Sequence, residues 1–121
     1  MPGAQPQVLV VEDNLLIAME VAALVEDCRC IVIGPFNDVG SAMPAAREIT
    51  LAAAILDINL GDERVWPIAD ELAERDIPFA LATGYAKADI PARFLDKPIL
   101  TKPVSAERVR RCLQHLGLVL P

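Results

Sequence analysis

Five short runs of apolar residues, each stopped by a polar residue or a Gly-Pro pair, constrain this chain more than any other feature. They are Gln7 to Val11 (Q-V-L-V-V), Cys30 to Ile33 (C-I-V-I), Ala53 to Leu56 (A-A-I-L), Phe79 to Ala82 (F-A-L-A) and Pro98 to Thr101 (P-I-L-T). None alternates apolar with polar residues, so each reads as a strand buried on both faces. Helix-like segments lie between them. Leu15 to Glu26 is an amphipathic helix capped by Asn14 or Asp13, with Leu16, Met19, Ala23 and Leu24 inward. A second helix falls within Asp38 to Glu48, where Pro44 suits the first turn if Ser41 is the cap and otherwise implies a kink. Pro67 opens a third helix that runs to about Arg75, after a loop broken at Gly61. A last helix starts at a Ser105 cap, with Val109, Cys112, Leu113 and Leu116 on one face and Gly117 ending it.

Alternating helices and fully apolar strands imply a parallel sheet covered on both sides. The expected fold is a single α/β domain spanning 1–121, doubly wound around five parallel strands. Between Gly84 and Asp96 the chain has too little room for a full fourth helix, and Pro91 stands in the middle, so one short or irregular turn is expected there.

A chain of 121 residues, 54% hydrophobic and 23% charged, is long enough to bury one core. The formal net charge of −6 disfavours nucleic acid as a direct partner. No apolar run has the length of a membrane span, and Met1 to Gln7 lacks the regions of a signal peptide, so a cytoplasmic protein is expected. Cys28, Cys30 and Cys112 lack paired C-x-x-C spacing and read as free, mostly buried thiols.

In open parallel sheets, ligands bind beyond the carboxyl ends of the strands. Glu12 and Asp13 follow the first strand, Asp57 the third, Thr83 the fourth, and a lysine the fifth. Each has an ordinary reading, as a helix cap, a loop acid or a strand terminator. Three carboxylates meeting on one rim repel one another unless a cation joins them. Magnesium suits such a set, since it takes a few carboxylate oxygens and leaves room for water and phosphate. A carboxylate facing both a metal and a lysine can attack phosphorus, and a threonine hydroxyl can bond a phosphoryl oxygen.

Two lysines compete for the fifth position, Lys97 and Lys102, both followed by proline. If Lys97 ended the strand, charged residues from Arg93 to Asp96 would lie in the core and Ile99-Leu100 in a loop. If Lys102 ends it, Ile99 and Leu100 are buried and the crossover from Thr83 has enough residues. Lys102 is the expected site lysine, and Lys97 a solvated residue before the strand.

From about Gln7 to Leu116 the chain resembles the receiver domain of two-component response regulators. V-L-V-V-E-D-N supplies the acidic pair, A-I-L-D-I-N-L the phosphoacceptor strand, A-T-G-Y the switch threonine and T-K-P-V the lysine. P-F-A-L-A-T-G-Y, I-N-L-G-D and I-P-A-R-F are similar to the FAT GUY subgroup. The resemblance implies that Asp57 accepts a phosphoryl group from a phosphohistidine on a histidine kinase or histidine phosphotransfer protein. It implies that Asp13, Asp57 and the backbone carbonyl of Asn59 hold Mg2+, with Glu12 acting largely through water. It further implies that Thr83 and Lys102 contact the phosphoryl group, that the bond from Lys102 into Pro103 is cis, and that the aspartyl phosphate later hydrolyses. The signal would reach an unidentified downstream protein through the last strand and its flanking helices.

Two positions depart from the usual receiver pattern. Ile99 stands where most receivers carry an aromatic residue, and Tyr85 beside the threonine is a switch candidate, with a half-buried ring at the sheet edge as its ordinary reading. The short fourth helix argues against the usual dimerisation, so a monomer or weak dimer without an output domain is expected. Trp66 reads as a packing residue, and Glu107, Arg108, Arg110 and Arg111 as a solvated face on which a partner could dock. The other readings are a phosphate sink or shuttle, a pseudo-receiver that works without phosphorylation, and a haloacid dehalogenase-type phosphatase. The last wants D-x-D, and its second aspartate is Asn59 here.

Overall fold

A computed structural model describes residues 5–84 and 89–121. Five parallel strands form one sheet: β1 (Gln7–Val11), β2 (Ile31–Phe36), β3 (Ala53–Asp57), β6 (Phe79–Thr83) and β7 (Ile99–Thr101). Their order across the sheet is β2-β1-β3-β6-β7, so the direction of winding reverses between β1 and β3. A separate two-stranded hairpin, β4 (Asn59–Leu60) and β5 (Glu63–Arg64), follows β3. The helices are α1 (Leu15–Asp27), α2 (Val39–Glu48), α3 (Trp66–Glu74) and α4 (Ala106–His115), with one 3-10 turn at Ala92–Phe94.

Alternation along the strands divides the core in two. Val8 and Val10 of β1, Ile55 of β3 and Leu100 of β7 pack with Val21 and Val25 of α1 and Val109 and Leu113 of α4. Leu9 and Val11, Leu56 and Leu81 point the other way, onto Ala42 and Ala46 of α2 and Ile68 and Leu72 of α3. Both clusters are almost free of solvent, which is why the strands carry no polar alternation.

Three local expectations are corrected. In α1 the inward residues are Ala18, Val21 and Val25, whereas Leu16 and Met19 are 79% and 59% exposed and Ala23 is also exposed. Its sequence is apolar nearly all round, so periodicity alone could not choose the face. The second strand does not stop at Gly34-Pro35 but continues to Phe36 through a cis peptide, with a shift of register against β1. In α2 the cap is Asp38, whose carboxylate accepts from the Ser41 N–H at 2.7 Å, so Pro44 lies inside the helix rather than in its first turn. Asn14, Ser105 and Pro67 act at their helix starts as read from sequence.

Among the described residues, only the 3-10 turn stands between β6 and β7 in place of a fourth helix. Phe94 closes that side of the core, stacked on Trp66 and edge-on to Phe79 at 5.6 Å each. Arg93 ties the turn to α3 through both oxygens of Asp70, at 2.8 and 3.0 Å. Trp66 is thus a packing residue.

Gly34 is where the β1–β2 shift places a demand that only glycine meets. Its φ is +107°, and a Cβ there would lie 2.9 Å from the Val10 carbonyl oxygen and 2.8 Å from the Phe36 nitrogen. The Phe36 carbonyl in turn accepts from the Glu12 N–H at 2.9 Å. Gly34→Ala is expected to cost about 1–3 kcal/mol in urea denaturation and to move the Glu12 amide resonance. A substitution with neither effect would count against this role.

Candidate functional site

The sheet sets the site. β1, β3, β6 and β7 run parallel, so their carboxyl ends share one edge, and the polar residues that end them converge there. Glu12, Asp57 and Thr83 are the only buried polar side chains among the described residues, each about 5% exposed or less. The other buried side chains among the described residues are apolar or thiol. The burial is therefore concentrated on one spot.

Lys102, immediately after β7, reaches into it. Its Nζ lies 2.8 Å from Glu12 Oε1 and 3.3 Å from Asp57 Oδ2. Its backbone N–H donates to the Thr83 carbonyl at 3.0 Å, and the peptide into Pro103 is cis. Lys97 goes elsewhere, its ammonium resting 5.1 Å from the centre of the Phe79 ring. Ile99 is half-buried against the α2–α3 side of the core.

Ligand oxygens of Glu12, Asp13 and Asp57 all fall within 4.8 Å of one another. Glu12 and Asp57 are buried while Asp13 is exposed at the mouth. A groove of about 440 Å³ opens over Asp13 and Asp57, lined also by Asn59, Thr83, Gly84 and Lys102. An all-oxygen carboxylate set, partly dry and open on one side, suits a hard divalent cation that keeps several waters. Burial, then the hydrogen bond to Glu12 and its charge, push the Asp57 carboxyl up to about 7, against the opposing pull of Lys102. Burial pulls the Lys102 ammonium down, but its bonds to Glu12 and Asp57 and their charges outweigh this and raise it. Lys102 stays charged, and a second cation would relieve the two acids.

The hairpin contributes a contact that the sequence reading passed over. The Gly61 N–H donates to Asp13 Oδ2 at 2.8 Å, and Glu63 accepts from the Val39 N–H at the start of α2 at 3.1 Å. Gly61-Asp62 is a two-residue hairpin turn of a recognisable kind. Its flanking strands have only two residues each, which is too short for any periodic signal. The Asn59 N–H faces Asp57 Oδ1 at 3.4 Å. Tyr85, the candidate switch aromatic, lies outside the described residues.

No protein-family profile and no curated protein sequence matches the chain. Solved structures do. The solution structure of SdrG from Sphingomonas melonis Fr1 is 38% identical, covering 94% of this chain and 98% of that one, with a TM-score of 0.82. The BeF3-activated conformation of SdrG from Pseudomonas melonis Fr1 is also 38% identical, covering 96% and 99%, with a TM-score of 0.79. The receiver domain of sensor histidine kinase PA1611 from Pseudomonas aeruginosa PAO1, with magnesium coordinated in its active-site cleft, shares the fold. It is 21% identical, covers 95% and 100%, and has a TM-score of 0.81.

The raised Asp57 proton affinity has a sign that can be checked. In the unfolded chain this carboxyl releases its proton near pH 4, whereas in the folded chain it does so near 7. Its contribution is present below pH 4 and is lost as pH rises through 7. In magnesium-free buffer, Asp57→Asn is expected to melt roughly 3–8 °C above the parent at pH 8, with the gain vanishing near pH 4. Equal melting temperatures at pH 8, followed by calorimetry, would contradict the assignment.

Proposed function

The chain belongs to the receiver domains of response regulators, and from that premise we propose that its phosphorylation-dependent switch operates through Asp57. The observation that carries this reading is the buried Asp57 carboxylate held 3.3 Å from the Lys102 ammonium, with Glu12 and Asp13 beside it. A carboxylate oxygen of Asp57 attacks the phosphorus of a phosphohistidine. The P–N bond breaks, its electron pair returns to the imidazole, and an aspartyl phosphate forms. Lys102 stands where it can leave Glu12 or Asp57 for a phosphoryl oxygen, and the Thr83 hydroxyl bonds another.

Glu12, Asp13, Asp57 and the Asn59 carbonyl would hold Mg2+. When bound, it supplies positive charge that favours ionised Asp57 and offsets charge on the phosphoryl oxygens. Asp13 would exchange its bond from the Gly61 N–H for this role. Hydrolysis of the aspartyl phosphate resets the switch, so the chain is a phosphoacceptor and not an enzyme acting on other substrates. We assign it to the FAT GUY subgroup on P-F-A-L-A-T-G-Y and on the 3-10 turn after β6.

The phosphodonor, a histidine kinase or histidine phosphotransfer protein, docks on α1. There Leu15, Leu16 and Met19 are 71%, 79% and 59% exposed, and Leu15 borders a groove that also contains Glu12 and Asp13. Apolar side chains this exposed on the rim of a buried acid mark a contact surface. We place the protein in the cytoplasm as a monomer or weak dimer that signals through contact with another protein. No helix among the described residues is long and apolar enough to cross a membrane.

Two experiments test this reading. Beryllofluoride with magnesium should shift amide resonances of Asp57, Asn59 and Thr83, and Asp57→Ala should abolish the shifts. Shifts that survive in the variant would remove Asp57 from its role. Leu16→Asp should slow transfer from a phosphorylated histidine phosphotransfer domain at least about tenfold, while acetyl phosphate labels it as it labels the parent. Equal transfer rates would move the docking surface elsewhere.

A further inference from the structure

A second groove, of about 470 Å³, runs between the open edge of β7 and α4, away from the acidic site. Among the described residues β7 is the last strand of the sheet. The Pro98 carbonyl accepts from Leu81 and the Lys102 N–H donates to Thr83, so even-numbered residues face β6. The backbone N–H and C=O groups of Ile99 and Thr101 therefore point outward, along the groove. Such an edge is a template for another strand unless something covers it.

The groove's other wall is basic. Arg108, Arg111 and His115 recur at helical spacing on one face of α4 and line it, and among the described residues that line it none carries a carboxylate. Arg108 already bends to the edge, donating to the Thr101 carbonyl at 3.2 Å, which holds its guanidinium at the rim. Arg111 is held by Glu107 at 2.7 Å, an exposed pair that another carboxylate can replace at little cost. Cys112 supplies an apolar floor. On a chain with a net charge of −6, this is a basic trough beside an open strand.

We propose that this groove binds an extended acidic segment of a partner protein, which adds to β7 as a sixth strand. Its backbone pairs with Ile99 and Thr101, taking the Thr101 carbonyl over from Arg108, and its carboxylates lie against the released Arg108 and Arg111. The groove is lined by residues outside the acidic site, so the inference does not rest on the phosphotransfer reading.

The test is fluorescence anisotropy with a labelled eight-residue peptide of alternating glutamate and valine, without magnesium or phosphodonor. Saturable binding is expected, with amide shifts at Ile99, Thr101, Arg108 and Arg111. The double substitution Arg108→Gln, Arg111→Gln should weaken it at least about tenfold, since both side chains are exposed and the fold does not need them. A lysine-for-glutamate peptide and one N-methylated at alternate amides should both fail. Each of four results would overturn the proposal: no saturation at millimolar peptide, binding of the N-methylated peptide with equal affinity, shifts confined to other surfaces, or Ile99 and Thr101 shifts produced by self-association alone.

Discussion

The Lys102 ammonium, caught between the carboxylates of Glu12 and Asp57, is the contact on which the rest of the site depends. Two buried acids at the end of a parallel sheet repel, and the low local dielectric strengthens that repulsion. One lysine between them offsets part of it, leaving Asp57 with a proton affinity far above that of an ordinary carboxylate. Among the described residues the charges do not balance: two buried acids and an exposed third face one cation, Lys102. A divalent ion or the redistribution of charge on phosphorylation would each change the balance. A switch needs such a balance, since a fully satisfied network would have no reason to move.

The backbone around this contact explains how the acids are held. Glu12 is fixed by its N–H to the Phe36 carbonyl, which depends on the shift of register at Gly34. Asp13 is held by the Gly61 N–H of the small hairpin, and Glu63 of the same hairpin reaches the start of α2. The hairpin therefore joins the mouth of the site to a helix on the opposite side from α1. Any ligand that draws Asp13 away from Gly61 acts on that link. On the other flank, Lys102 sits at the end of the edge strand β7, so the site and the basic groove share an element.

Legibility from sequence followed the physical signals available. The parallel sheet and the choice of Lys102 over Lys97 rested on runs of apolar residues and on crossover length, which are strong constraints. The face of α1 was not legible, because Leu15, Leu16, Ile17, Met19, Val21 and Leu24 leave no polar side to orient it. What decides the matter is the packing of Val21 and Val25 against β1 and α4, which is a tertiary fact. The strand through Gly34-Pro35 was missed because that pair is ordinarily a stop signal. The Asp13–Gly61 contact joins residues 48 apart through a hairpin of two-residue strands, and nothing local encodes it.

By itself the sequence determined the five strands of the main sheet and their order along the chain, the acids, hydroxyl and lysine at their ends, and the likeness to receivers. It could do so because buried parallel strands demand continuous apolar runs, and the residue after each run must lie on the same edge of the sheet. Only the tertiary structure decided which acid Lys102 approaches most closely, which apolar residues of α1 are left facing water, and what flanks the open edge of β7. Those outcomes depend on side chains brought together across the sheet, where distance and burial set the energies and sequence spacing does not.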